Sequence, residues 1–133
     1  MITYIFDACA LIAFLNDEEG SDSIERILLQ ENHRFISIIN VYEVCYDAAK
    51  RAGVDEGIKI FEEIKSMPIE IVYEISKRII EKALHFKTKY RISLADSIAL
   101  GLTKVKDAVL VTCDHHELDC IDDSKEIEFY WFR

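Results

Sequence analysis

Five short apolar runs punctuate this chain, at residues 2–6, 35–39, 69–73, 108–113 and 127–132. They are rich in Ile, Val, Phe and Tyr, and several are apolar at nearly every position. A strand with one solvated face alternates apolar and polar residues, whereas one covered on both faces is apolar throughout. Helical stripes lie between the runs. Ile24, Ile27 and Leu28 form the first, and Val41, Val44, Cys45 and Ala48 the second, which Gly53 ends. Ile58, Phe61 and Ile64 form a third, stopped before Pro68, the only proline. Ile79, Ile80, Ala83, Leu84 and Phe86 give a fourth, and Leu94, Ile98, Leu102 and Val105 a fifth. Strands alternating with helices predict an α/β fold with a parallel sheet and right-handed crossovers. No repeat, low-complexity tract or Pro/Gly/Ser-rich linker interrupts the 133 residues, so residues 1–133 read as a single domain.

Ligands of such sheets bind beyond the carboxyl ends of the strands, and four carboxylates map there. Asp7 follows the first run and Asp114 the fourth, while Glu43 and Asp96 each fall in the expected first turn of a helix. Four anions at one sheet edge repel one another unless a divalent cation joins them, which makes a metal-dependent enzyme the leading idea. Helix capping offers a simpler account. Asn40 to Glu43, Ser93 to Asp96 and Asp114 to Glu117 all fit a capping box, and an acid in the first turn favours the helix dipole. Two points shift the balance. Helices that follow strand ends open toward the same edge, so caps there also form a cluster. Asp7 and Glu43 are bordered by apolar residues, and a buried carboxylate is costly unless paired or metal-bound.

The formal net charge of −9 argues against a nucleic-acid partner. The charge is uneven, however. Lys77, Arg78, Lys82, Lys87, Lys89, Arg91, Lys104 and Lys106 face only Glu81 and Asp96, which gives residues 77–106 a net +6 and leaves −15 elsewhere. Such a basic region suits local contact with a phosphate backbone. No apolar stretch approaches the ~20 residues of a membrane span. The amino terminus lacks a basic region and meets an Asp at position 7, so no signal peptide and a cytoplasmic location are expected. Cys9, Cys45, Cys113 and Cys120 read as small reduced residues. Cys113, His115, His116 and Cys120 offer soft donors, without the paired spacing of structural zinc.

Taken in order, the acids and their neighbours resemble the motifs of the PIN domain family. Tyr4-Ile5-Phe6-Asp7-Ala8-Cys9 resembles its first acidic motif and Ile36 to Val44, with Glu43, its second. Ser93 to Leu100, with Asp96, resembles the third. Val109 to Asp114, followed by His115-His116-Glu117-Leu118, resembles the fourth. Cys9 departs from the Ser or Thr usual at its position, and Cys113 separates Thr112 from Asp114. The resemblance implies a three-layer α/β/α sandwich around a central parallel five-stranded sheet. It implies a Mg²⁺- or Mn²⁺-dependent endoribonuclease acting on single-stranded RNA. It also implies a VapC-like toxin that forms a homodimer and is restrained by a cognate antitoxin. Asp7 and Asp96 would be the main metal ligands, Asp114 would bind metal directly or through water, and Glu43 would orient or deprotonate the attacking water. Ser37, Asn40 and Thr112 are candidates for holding the acids in place. Asp119 reads as a helix-end residue. The rivals are a catalytically silent PIN-like RNA- or protein-binding module and, below it, a receiver-type phospho-acceptor. The receiver would need an acidic pair after the first strand, where this chain has Asp7 alone.

Overall fold

Alternate residues of the short strands point to opposite sides of one sheet, and that alternation builds the layers. A computed structural model describes residues 1–133. Its elements run β1 (Thr3–Phe6), α1 (Ala8–Leu15), α2 (Ser21–Leu29), β2 (His33–Ser37), α3 (Ile38–Ala52) and α4 (Val54–Ser66). They continue β3 (Glu70–Val72), α5 (Lys77–Lys89), α6 (Leu94–Val105), β4 (Val109–Thr112), α7 (His115–Ser124) and β5 (Glu128–Trp131). The strands form one sheet in the order β3-β2-β1-β4-β5, and every pairing is parallel. The three-layer α/β/α sandwich is therefore present.

Phe6, Ile36 and Val111 face one layer, where they pack on Leu11, Ile24, Val41, Val44 and Ile64 of α1 to α4. Ile5 and Leu110 face the other, against Ile79, Phe86, Leu100, Leu102, Leu118 and Ile121 of α5 to α7. Ile5, Phe6, Leu110 and Val111 are fully buried. Each such side chain contributes roughly 1.5–3 kcal/mol of burial free energy. That fixes the middle strands, and with them the edge from which Asp7 and Asp114 project.

Several boundaries differ from the sequence expectation, for local reasons. The second strand covers residues 33–37, not 35–39, because the Ser37 side chain accepts the Asn40 backbone N–H at 3.1 Å and starts α3 there. Asn40 is therefore inside the helix and is not its cap. Glu43 consequently lies in the second turn of α3, not the first. Helix α1 has no polar face: its sequence is Ala-Cys-Ala-Leu-Ile-Ala-Phe-Leu. An all-apolar helix wedged under a sheet shows no amphipathic stripe and escapes a search for one. Gly53 ends α3 as expected, at φ 97°, a conformation that L side chains rarely adopt.

Candidate metal centre

β1 and β4 are neighbours in the sheet, but the chain leaves them in opposite directions, toward β2 and toward β5. A crevice opens at such a switch point beyond the carboxyl ends of the strands. Asp7 follows β1 directly. Its Oδ1 accepts the Ala10 backbone N–H at 3.0 Å and the Cys9 thiol at 3.0 Å, so it too caps a helix. The side chain is buried. Burial pushes its pKa up to about 6, and the nearby Asp114 charge adds to the rise. Hydrogen bonds from Cys9, Thr112 and Ala10 oppose it.

Asp114 caps α7, accepting the Glu117 N–H at 3.3 Å, and its own N–H donates to Thr112 Oγ1 at 3.1 Å. Asp96 is in the first turn of α6, whose cap Ser93 accepts the Asp96 N–H at 3.1 Å. The Asp96 carboxyl is pushed up to about 9. Burial is the main cause, followed by a hydrogen bond to Glu117 and the charges of Asp7, Glu117 and Asp114. Glu117 is held low, chiefly by that same bond to Asp96. Ligand oxygens of Asp96, Asp114 and Glu117 all lie within 4.8 Å of one another.

Glu43 faces this trio from α3. Its pKa is raised first by burial and further by the charges of Asp7, Glu117 and Asp114. A relay positions it: Ser37 Oγ donates to Asn40 Oδ1 at 2.7 Å, and Asn40 Nδ2 donates to Glu43 Oε1 at 3.2 Å. Ser37, Asn40 and Thr112 are all buried, so each exchange of hydrogen bonds occurs out of water and is held in one arrangement.

Glu117 is the acid that sequence reasoning missed as a site residue. Its place three residues after Asp114 fitted a capping box, and that fit concealed the cue that the helix end opens onto the crevice. Asp119 is not part of the cluster, since it binds His115 Nδ1 at 2.8 Å on the exposed side of α7. The soft-donor alternative is not assembled either. His115 stacks on Trp131 with ring centroids 4.0 Å apart, and Cys120 donates to the Glu117 carbonyl. The donors that do converge are all carboxylate oxygens, the choice of hard ions such as Mg²⁺ or Mn²⁺ and a poor match for thiophilic metals. Burial and the neighbouring acids together disfavour the charged form of Asp96.

The basic stretch is partly committed. Lys89 pairs with Glu126, Lys104 donates to the Glu126 carbonyl, Lys87 donates to the Ile92 carbonyl, and Lys106 lies over the Phe35 ring. Arg78, Lys82 and Arg91 have no acidic partner within salt-bridge distance.

The sequence model of the PIN domain matches residues 4–122. The chain belongs to the PIN domain family. Solved structures share the fold at low identity. A chain of VapBC-1 from nontypeable Haemophilus influenzae is 18% identical, with 98% of each chain covered and a TM-score of 0.74. One from DNA-bound VapBC of Salmonella typhimurium is 16% identical, with full coverage of both chains and a TM-score of 0.77. VapC20 of Mycobacterium tuberculosis, described as a sarcin-ricin loop cleaving toxin, is 12% identical. That match covers 80% of this chain and 86% of VapC20, with a TM-score of 0.63. No curated protein sequence matches.

One prediction concerns this PIN domain before any metal is added. Replacing Glu117 with Gln removes one of the charges that, after burial, raise the Asp96 carboxyl. The Asp96 pKa is expected to fall toward the ordinary carboxylate range, as read by carboxyl-carbon NMR. An unchanged titration would contradict that contribution.

Proposed function

We propose that this PIN domain is a metal-dependent endoribonuclease that hydrolyses phosphodiester bonds of single-stranded RNA, as the toxin of a toxin–antitoxin pair. The observation that most supports this reading is the cluster of Asp96, Asp114 and Glu117, whose ligand oxygens lie within 4.8 Å of one another, with Asp96 pushed up to about 9 by burial and by its neighbours, Asp7 among them. Structural acids are seldom left in so unfavourable a group, whereas catalytic ones are.

Asp7, Asp96 and Asp114 are assigned as ligands of Mg²⁺ or Mn²⁺, joined by Glu117. When bound, the ion shields the phosphate, activates a water and stabilises the leaving oxygen. Glu43 orients the attacking water and takes its proton. Its raised pKa makes it a better base than an ordinary carboxylate, and Asn40 fixes the oxygen that Glu43 turns toward the relay. Ser93 and the Thr112 hydroxyl hold Asp96 and Asp114 by their backbone N–H groups. Arg78, Lys82 and Arg91 are assigned to the RNA backbone. Each phosphate contact of that kind adds salt dependence and no sequence preference.

The reading includes a homodimer, a cytoplasmic location and a cognate antitoxin. Support for the antitoxin comes from an exposed apolar groove of about 420 Å³ between α3 and α4, lined by Tyr42, Cys45, Tyr46, Val54, Ile58 and Phe61 among others. An amphipathic protein segment suits such a groove. Helix α3 carries both Glu43 and one wall of this groove. No helix is long and apolar enough to cross a membrane.

The direct test is Asp7→Asn. Loss of Mg²⁺-dependent cleavage of a single-stranded RNA by about 10³-fold or more is expected, with the melting temperature unchanged or raised. Cleavage at the wild-type rate would contradict the assignment.

A further inference from the structure

Two thiols stand beside the crevice. Cys9 is in the first turn of α1 and Cys113 lies between β4 and α7. They are 104 residues apart in sequence, yet the Cys113 backbone N–H donates to Cys9 Sγ at 3.2 Å. Cys9 Sγ also stands 3.5 Å from Oγ1 of Thr112, the residue before Cys113. Cys9 in turn donates to Asp7 Oδ1 at 3.0 Å, and Arg133 Nη2 stands 3.4 Å from Cys113 Sγ. Both cysteines are partly exposed and neither is in a disulfide. Cys45 lies apart from them in the α3–α4 groove, and Cys120 is exposed on α7.

We propose that Cys9 and Cys113 form an oxidative modification site, at which a peroxide converts the pair to a disulfide that disables the acid cluster. The Cys113 sulfur attacks one oxygen of hydrogen peroxide and the O–O bond breaks. The departing oxygen leaves as water with the thiol proton, and Cys113 becomes a sulfenic acid. The Cys9 sulfur then attacks the Cys113 sulfur. The S–S bond forms, the S–OH bond breaks, and the hydroxide leaves as a second water with the Cys9 proton. Two thiols and one peroxide give one disulfide and two waters, and the peroxide is the oxidant throughout. The Arg133 guanidinium offers donors to the departing oxygen. Close placement of a second thiol makes the disulfide faster than further oxidation of the sulfenic acid.

The consequence follows from the Asp7 hydrogen bonds. The disulfide removes the Cys9 S–H that donates to Asp7 and ties the first turn of α1 to the residue preceding Asp114. Two of the assigned ligands lose the arrangement in which they converge. This loss of cleavage rests on the ribonuclease reading, whereas the disulfide does not.

The experiment uses the full chain with Cys45→Ala and Cys120→Ala, treated with one equivalent of hydrogen peroxide. Thiol labelling, peptide mapping without reductant and RNA cleavage with Mg²⁺ are measured before and after. A monomer-internal link between positions 9 and 113 is expected, with cleavage falling by about tenfold or more and returning with dithiothreitol. With Cys113→Ser added, the treated protein should keep its own untreated rate. Two thiols that survive the peroxide, a link only between chains, or a linked protein that cleaves at its reduced rate would each overturn the proposal. If the link forms in a protein that cleaves in neither state, the disulfide stands and the ribonuclease reading fails alone.

Discussion

Asp96→Asn is expected to abolish metal-dependent RNA cleavage and to raise the melting temperature of the metal-free protein at neutral pH. Both effects come from one carboxyl. Its pKa in the folded protein is about 9, whereas an unfolded Asp titrates near ~4. A group raised on folding contributes its full stability below the unfolded pKa and loses it as pH rises through the folded one. Asp7, raised to about 6, acts in the same direction over a narrower range. The metal-free wild type is therefore expected to lose stability steadily from about pH 4 to about pH 9. Mg²⁺ should flatten that slope by supplying the positive charge that the proton otherwise supplies. Asparagine keeps the shape of the side chain without its charge, so the variant loses most of the slope, and the ligand with it. Thermal melts of metal-free protein between pH 5 and pH 9 check the prediction. An Asp96→Asn protein that melts lower than wild type at every pH would contradict it.

Gly101→Ala is expected to destabilise the fold by about 1–3 kcal/mol, even though alanine is the better helix former by about 1 kcal/mol. Gly101 lies within α6 where α5 crosses it. A Cβ there would stand 2.7 Å from the Ile79 carbonyl oxygen and 2.9 Å from the Ala83 nitrogen, both backbone atoms. Backbone cannot rotate out of the way as a side-chain tip can, so the helices must separate. The propensity gain is smaller than the cost of that separation. Denaturant unfolding should show the midpoint lowered, and cleavage should fall too, because α6 carries Asp96. A stability equal to or above wild type would show that α5 yields more easily than its packing suggests.

Much of the fold was legible because its signals are local. Leu94, Ile98, Leu102 and Val105 mark one face of α6, and the apolar strands announce a sheet covered on both sides. What stayed hidden depends on contacts between distant segments. Helix α1 is apolar on every face because α2, α3 and the sheet surround it, so no stripe betrays it. The start of α3 was placed at Asn40 because Asn is a good cap. Ser37, three residues earlier, takes that role and frees Asn40 to hold Glu43. Glu117 was read as the last member of a capping box, and only the approach of α6 to α7 makes it the partner of Asp96. Of the acids that sequence reasoning named, Asp96 and Asp114 come within 4.8 Å of each other, together with Glu117.

A calorimetric titration of Mg²⁺ into the metal-free protein at pH 7, in two buffers of different ionisation enthalpy, bears most directly on the centre. Saturable binding is expected, with the release of about one proton per site, because the raised Asp96 carboxyl must be ionised to become a ligand. Binding should vanish in Asp96→Ala. No binding at millimolar Mg²⁺ or Mn²⁺ would contradict it and leave the acids as helix caps in a catalytically silent binding module.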